Sequence, residues 1–260
     1  MIRTVITGVT GRMGGTLLRL VRESKDLELA GATARQLSRL EALGVSGGED
    51  LGGVLDTGRA QVVIDFTSAE ASVAHARQCA ERGVAMVIGS TGFTPESRAE
   101  VAASAKSIPV VLAPNTSVGV NVVIRMAAEL ARVLGEGYDV EVLEAHHRMK
   151  KDAPSGTALK LAEVLASALG RGQEDLTFAR QGQIGARPKQ EIGVQTLRGG
   201  DVVGEHTVYF FGEGERIELT HRATHRDQFG LGALRAARWV TGRTPGLYDM
   251  ADVLGFQRTS

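Results

Sequence analysis

The chain has 260 residues, enough for one large domain or two small ones with a buried core. Hydrophobic residues at 43% and charged residues at 23% lie near globular averages, which excludes disorder and collagen-like repeats. Thirty basic residues balance thirty acidic ones, so there is no net field to gather nucleic acid or an anionic membrane, and any attraction for anions must be local.

Strands are predicted at 4–6, 27–32, 62–66, 84–88 and 110–113, with helices over 12–24, 69–81 and 95–106 between them. Strands alternating with helices indicate βαβ units and a parallel sheet. Val62-Val63-Ile64 and Val110-Val111-Leu112 are apolar at every position, as expected where helices cover both faces of a sheet. The expected architecture is therefore α/β, with a Rossmann-like, doubly wound dinucleotide-binding domain over 1–117.

A helix is predicted over 121–134, with Val122, Val123, Met126, Leu130 and Val133 as its apolar stripe. The pattern then changes. Segments 139–145, 191–198, 205–211 and 216–223 alternate charged and apolar residues, which suits an open, mixed sheet with one wet face and a second, α+β domain over 118–226. Within it, 158–169 is predicted helical and the polar stretch 180–190, with Arg180 and Arg187, a mobile loop. The helix predicted over 227–240 and the tail to 260 return to the first domain.

Glycine is the compositional outlier, with 33 residues where an average usage of ~7% would give ~18, and it predicts many tight turns. Three of these form Gly8-Val9-Thr10-Gly11-Arg12-Met13-Gly14, a G-x-x-G-x-x-G variant of the dinucleotide fingerprint placed between the first strand and the first helix. A glycine turn needed only for packing would look the same. At the end of the second strand, where an acid commonly reads the adenosine ribose of NAD, the sequence has Ala34 and then Arg35. A guanidinium there favours the 2′-phosphate of NADPH over NADH, the alternative being a solvated loop residue. The strand ends Asp65-Phe66-Thr67, Gly89-Ser90-Thr91-Gly92 and Ala113-Pro114-Asn115-Thr116-Ser117 are expected to line the nicotinamide pocket, or else to serve as caps and turns.

The densest polar cluster runs from Glu144 to Thr157: Glu-Ala-His-His-Arg-Met-Lys-Lys-Asp-Ala-Pro-Ser-Gly-Thr. His146 and His147 point to opposite sides if the backbone is extended. Histidine suits proton transfer near neutrality, lysine can hold an anion or donate a proton, and Ser155-Gly156-Thr157 at a helix start offers N–H groups to a carboxylate. The cluster reads as a site for a small dianion. No metal is expected, because adjacent histidines lack the i,i+4 ligand spacing and no cysteine or third histidine lies nearby. The single cysteine, Cys79, excludes an intramolecular disulfide and points to a reducing cytoplasm. No signal peptide is read at the N-terminus and no apolar run approaches the ~18 residues of a membrane span.

The 144–157 cluster, continuing into Ala158, resembles the signature of the dihydrodipicolinate reductase family. So do Gly8 to Gly14, Asp65 to Thr67, Val87 to Phe93, Asn115 to Asn121, Gly200 to Thr207 and Gly246 to Met250, so the likeness spans essentially the whole chain. The resemblance implies reduction of 4-hydroxy-tetrahydrodipicolinate to tetrahydrodipicolinate with loss of water, at the expense of NADPH or NADH. It further implies that His146 donates and accepts the proton, Lys150 is a second donor, His147 contacts substrate, and Gly156 with Thr157 clamps a carboxylate. Cofactor contacts are implied at Gly8, Val9, Thr10, Gly11, Arg12 and Met13, at Gly89, Ser90 and Thr91, and at Ala113, Pro114, Asn115 and Thr116. A cytoplasmic homotetramer assembled through the second domain is implied as well. Many family members carry an acid where Ala34 stands, a departure that strengthens the expectation of NADPH. Two other readings keep the first domain: a different two-domain nicotinamide dehydrogenase, which would not need the 144–157 cluster, and an NADP(H)-sensing regulator, in which that cluster would be eroded.

Overall fold

A computed structural model describes residues 1–256. The chain divides into two compact units, Met1–Val118 with the segment from Asp227 onward, and Gly119–Arg226. The first unit runs β1 (Ile2–Thr7), α1 (Arg12–Glu23), β2 (Leu27–Thr33), α2 (Leu37–Ala42), β3 (Gly47–Gly48) and α3 (Leu51–Gly58). It continues through β4 (Val62–Asp65), α4 (Ala69–Arg82), β5 (Ala85–Ile88), α5 (Pro95–Ser104) and β6 (Pro109–Leu112). Helix α6 (Val118–Leu134) leads to β7 (Asp139–His146), α7 (Gly156–Leu169), β8 (Leu176–Thr177), β9 (Ile192–Arg198), β10 (Gly204–Phe211) and β11 (Arg216–Ala223). Helix α8 (Asp227–Val240), β12 (Gly246–Tyr248) and α9 (Met250–Leu254) return to the first unit.

The first unit holds a seven-stranded sheet in the order β12-β6-β5-β4-β1-β2-β3, with all strands parallel. Side-chain alternation sends successive strand residues into two cores. Ile6, Ile64, Val87 and Val111 pack with α1, α8 and α9 on one face, whereas Val5, Val63, Met86 and Val110 pack with α3, α4 and α5 on the other. Cys79 is fully buried in the second of these cores as a small apolar group. Strand order reverses between β1 and β4, which opens a crevice at their carboxyl ends.

The second unit holds a five-stranded mixed sheet in the order β11-β10-β7-β9-β8, with β7 parallel to β9 and antiparallel to β10. One face carries Val140, Val142, Ile192, Val194, Val208 and Phe210 against α6 and α7. The expected stripe of α6 is corrected in part: Val123 is buried with Ala127 and Ala131, while Val122, Met126 and Val133 are exposed. Ile124, Leu130 and Leu134 pack against the same core from partly buried positions. The 180–190 segment is also more fixed than expected, since Arg180 binds Glu141 and Glu191, and Arg187 binds Asp139 and Glu141. No helix among the described residues is long and apolar enough to cross a membrane.

The junction of β1 and α1 depends on two glycines. Gly8 adopts φ +59°, and a Cβ on Gly14 would stand 2.3 Å from the Gly8 carbonyl oxygen. The neighbouring Gly15 faces open space. Gly14→Ala is expected to lower unfolding stability by about 1–3 kcal/mol through overpacking. Gly15→Ala should raise it by about 0.5–1 kcal/mol through helix propensity. Urea denaturation of both variants separates the two effects, and equal shifts would contradict this packing.

Candidate active site

The period-two alternation that builds the second core also builds a polar site at one end of it. On β7, Val140 and Val142 are followed on the same face by Glu144 and His146; on β9, Ile192 and Val194 are followed by Thr196 and Arg198. On β10 the same face carries His206 before Val208 and Phe210. The apolar rows thus end in a cluster of acid, imidazole and guanidinium.

Glu144 is fully buried. Its Oε2 lies 2.5 Å from His146 Nδ1 and accepts from Arg198 Nη1 at 2.8 Å. Its Oε1 accepts from Arg198 Nη2 at 2.9 Å, the Ser155 backbone N–H at 3.0 Å and the Thr196 hydroxyl at 3.2 Å. Burial alone would raise this carboxyl's pKa, but the hydrogen bonds from Arg198, His146 and Ser155 outweigh it and hold the pKa below the usual range. An ionised carboxylate only accepts, so Nδ1 of His146 carries hydrogen and Nε2 is left for chemistry. Beside that nitrogen stands Gly204, where an added Cβ would lie 3.0 Å from Nε2. Burial lowers the His146 pKa, Glu144 opposes the shift, and the charges of Lys150 and Arg198 add to it, for a net lowering.

Ser155 caps α7: its Oγ accepts from the Ala158 N–H at 3.2 Å and lies 3.1 Å from His206 Nε2. Gly156, first in the helix, is exposed, and Thr157 follows half-buried. The positive end of the helix dipole lies at this opening turn, where an anion is favoured. His146 and His206 meet edge to face with ring centroids 5.2 Å apart. Lys150 Nζ lies 2.9 Å from Asp152 Oδ1, and His147 is half-buried at the turn whose carbonyl accepts from the Lys150 N–H. His146, Lys150, Gly156 and Thr157 thus sit on β7, the turn after it and the start of α7, with Glu144 and Ser155 tying strand to helix.

Arg198, Thr196, Gly204 and His206 belong to this cluster and are not predicted from the sequence as site residues. Each stands at even spacing from a core residue of its strand, and that parity is the signal that could have revealed them.

In the first unit, Gly8–Gly11 form the turn between β1 and α1, with Gly11 as the helix N-cap and Arg12 and Met13 opening the helix. A Cβ at Gly14 or Gly11 would crowd the Gly8 carbonyl, so the turn is lined by backbone, which fits a dinucleotide pyrophosphate. Thr10, Gly11 and Arg12 are exposed there, whereas the Val9 side chain is buried in the core. Arg35 is exposed at the end of β2, after buried Ala34. Gly89, Ser90 and Thr91 follow β5 and Ala113–Thr116 follow β6, so both segments lie at carboxyl ends of the parallel sheet. The hydroxyls of Ser90 and Thr116 turn inward, to Asp65 Oδ1 at 3.4 Å and to the Phe229 carbonyl at 2.7 Å.

Residues 2–116 match the family pattern described as Dihydrodipicolinate reductase, N-terminus, and residues 119–254 match Dihydrodipicolinate reductase, C-terminus. The chain belongs to the dihydrodipicolinate reductase family. Within that family it is 73% identical to the 4-hydroxy-tetrahydrodipicolinate reductase of Myxococcus xanthus, over all of both chains. It is 58% identical to the enzyme of the same name from Anaeromyxobacter dehalogenans (strain 2CP-1 / ATCC BAA-258), over 99% of each chain. The dipicolinate-bound dihydrodipicolinate reductase of Paenisporosarcina sp. TG-14 is similar in structure, with a TM-score of 0.80 and 27% identity over 96% of this chain and 97% of that one. An amine dehydrogenase from Mycobacterium smegmatis, at 17% identity and a TM-score of 0.61 over 95% of this chain and 94% of that one, shares the fold alone.

His206 is almost fully buried, and burial together with the neighbouring His146 charge lowers its pKa from 6.5 to about 4. The unfolded chain therefore binds a proton that the folded chain refuses. Stability from keeping His206 neutral is complete above pH 6.5 and is lost as pH falls towards 4, by up to about 1.4 kcal/mol per pH unit. In His206→Asn the corresponding slope should vanish, so the stability gap between the two proteins narrows on acidification. Parallel stability curves from pH 7 down to about 4.5 would contradict a neutral, buried His206.

Proposed function

We infer that this chain is a nicotinamide-dependent 4-hydroxy-tetrahydrodipicolinate reductase of lysine and diaminopimelate biosynthesis, with its proton chemistry at His146 and Lys150. Identity of 73% along the full length of a relative with that name carries the activity. The buried Glu144–His146 pair beside the start of α7 carries the assignment of residues.

In the overall change C4 of the cyclic imine gains a hydride, the 4-hydroxyl leaves as water, and one proton is consumed. A nicotinamide bound in the first unit supplies the hydride. The protein's part is to hold a dianion and to place a proton. Gly156 and Thr157, with the helix dipole behind them, take one carboxylate, while His147 and Lys150 offer further contacts. Glu144 keeps His146 in one tautomer, and the proton passes from Nε2. Electron density that builds on the ring is stabilised by the Lys150 ammonium more in the transition state than in the ground state.

The cofactor is held at Gly8–Met13, Gly89–Thr91 and Ala113–Thr116, and NADPH is preferred over NADH. Exposed Arg35 after the apolar Ala34 supports that preference, since a guanidinium pairs with a 2′-phosphate and nothing acidic at position 34 favours a free ribose hydroxyl. Residues 119–226 also serve assembly as a homotetramer. That proposal is supported by the sheet face opposite α6 and α7, which leaves Leu197 and Phe211 54% and 38% exposed. A reducing cytoplasm suits the lone, buried Cys79.

Oxidation of NADPH with the hydroxylated cyclic imine dicarboxylate as substrate, inhibited competitively by pyridine-2,6-dicarboxylate, tests the function directly. His146→Gln should lower kcat by about 10²-fold or more, and Lys150→Ala should damage both kcat and KM for the dicarboxylate. Near-wild-type turnover in either variant would remove that residue from its role. Arg35→Ala should raise KM for NADPH about tenfold or more through loss of charge-assisted hydrogen bonds and leave NADH unaffected. Equal effects on the two cofactors would overturn the specificity assignment.

A further inference from the structure

Asp65 closes β4, the central strand of the seven-stranded sheet and the one beside which strand order reverses. Its carboxylate is fully buried, although the three residues before it are apolar and the core needs no charge there. Oδ1 accepts from the Thr67 backbone N–H at 2.8 Å, the Thr67 hydroxyl at 2.6 Å and the Ser90 hydroxyl at 3.4 Å. Oδ2 lies 2.5 Å from Nδ1 of His75 on α4. The Ser72 hydroxyl donates to Ser90 Oγ at 2.9 Å and completes the network.

The two residues that follow Asp65 abut two turns assigned to the cofactor. A Cβ on Gly8 would meet the Thr67 methyl at 2.9 Å, and one on Gly89 would fall 2.2 Å from the Phe66 ring. Asp65 therefore links the ends of three adjacent strands, β1 through the Thr67 methyl, β4 through its own turn, and β5 through Ser90. A buried carboxylate shared among loops fixes their spacing more stiffly than apolar contact does, because each lost hydrogen bond leaves a charge uncompensated.

We propose that Asp65, held by His75, is a positioning residue that sets the spacing of the Gly8 and Gly89 turns for the dinucleotide. The proposal rests on the reading of those turns as cofactor-binding. Steady-state kinetics with NADPH and the dicarboxylate varied separately, together with calorimetric titration of NADPH alone, test it. Asp65→Asn should raise KM and Kd for NADPH about tenfold or more, the usual effect of losing hydrogen bonds to a charge, while KM for the dicarboxylate is unchanged. Thr67→Val, which keeps the methyl against Gly8 but loses the hydroxyl bond to Asp65, should raise them less, and so should Thr67→Ser, which keeps that bond but loses the methyl. Because Thr67 is exposed, its variants decide the matter if Asp65→Asn does not fold. Wild-type NADPH affinity in folded variants, or an equal rise in both KM values, would overturn the positioning role alone. Failure of the wild-type protein to bind NADPH would overturn the cofactor reading and this inference with it.

Discussion

The second unit is organised around one buried charge. A lone carboxylate taken fully out of water costs several kcal/mol, so Glu144 is tolerable only because donors from three separate elements converge on it. Arg198 reaches it from β9 in a bidentate pair, His146 from two residues along its own strand, and the Ser155 N–H from the start of α7. Remove any one and the rest are left with an uncompensated charge, which is why the imidazole, the strand and the helix start cannot drift independently. Exposed pairs such as Arg77–Glu100 lack this power, because solvent screens them and either partner can move away at little cost.

The two units use the same device for different ends. Each has a fully buried acid near the carboxyl end of a central strand, within 2.5 Å of a histidine Nδ1. For Asp65 the histidine comes from a helix and the remaining donors are the hydroxyls and the N–H of adjoining turns, so the charge is spent on holding loops. For Glu144 the histidine shares the strand and no larger side chain replaces Gly204 at its far nitrogen. The same pairing therefore ties adjoining turns together in one unit, and in the other fixes the tautomer of the histidine to which the proton chemistry is assigned in the proposed function.

Much of this was legible in the sequence because it is periodic. The all-apolar runs at 62–64 and 110–112 are strands buried on both faces, and the alternation in 139–145, 205–211 and 216–223 is a sheet covered on one. No element is predicted between 36 and 61, since α2, β3 and α3 span six, two and eight residues and are too short to show a period. The face of α6 is only partly legible, because hydropathy favours Val122 and Met126 over Ala127 and Ala131, which the core buries. In the site, the consecutive 144–157 cluster could be seen as one object. Arg198 and His206 show in the sequence only the parity of their own strands, because it is register between distant strands that brings them to Glu144 and Ser155.

The depressed pKa of His146 bears on how a reductase of this kind obtains its proton. Burial and the neighbouring Lys150 and Arg198 charges disfavour the imidazolium, so at neutral pH the free site holds the ring mostly neutral. Under the proposed seating of a dicarboxylate at the start of α7, two negative charges arrive beside these cations and act to raise the same pKa. In that proposal proton uptake accompanies arrival of the dianion, and Glu144, its pKa held below the usual range, stabilises a charged His146 through the bond it already makes.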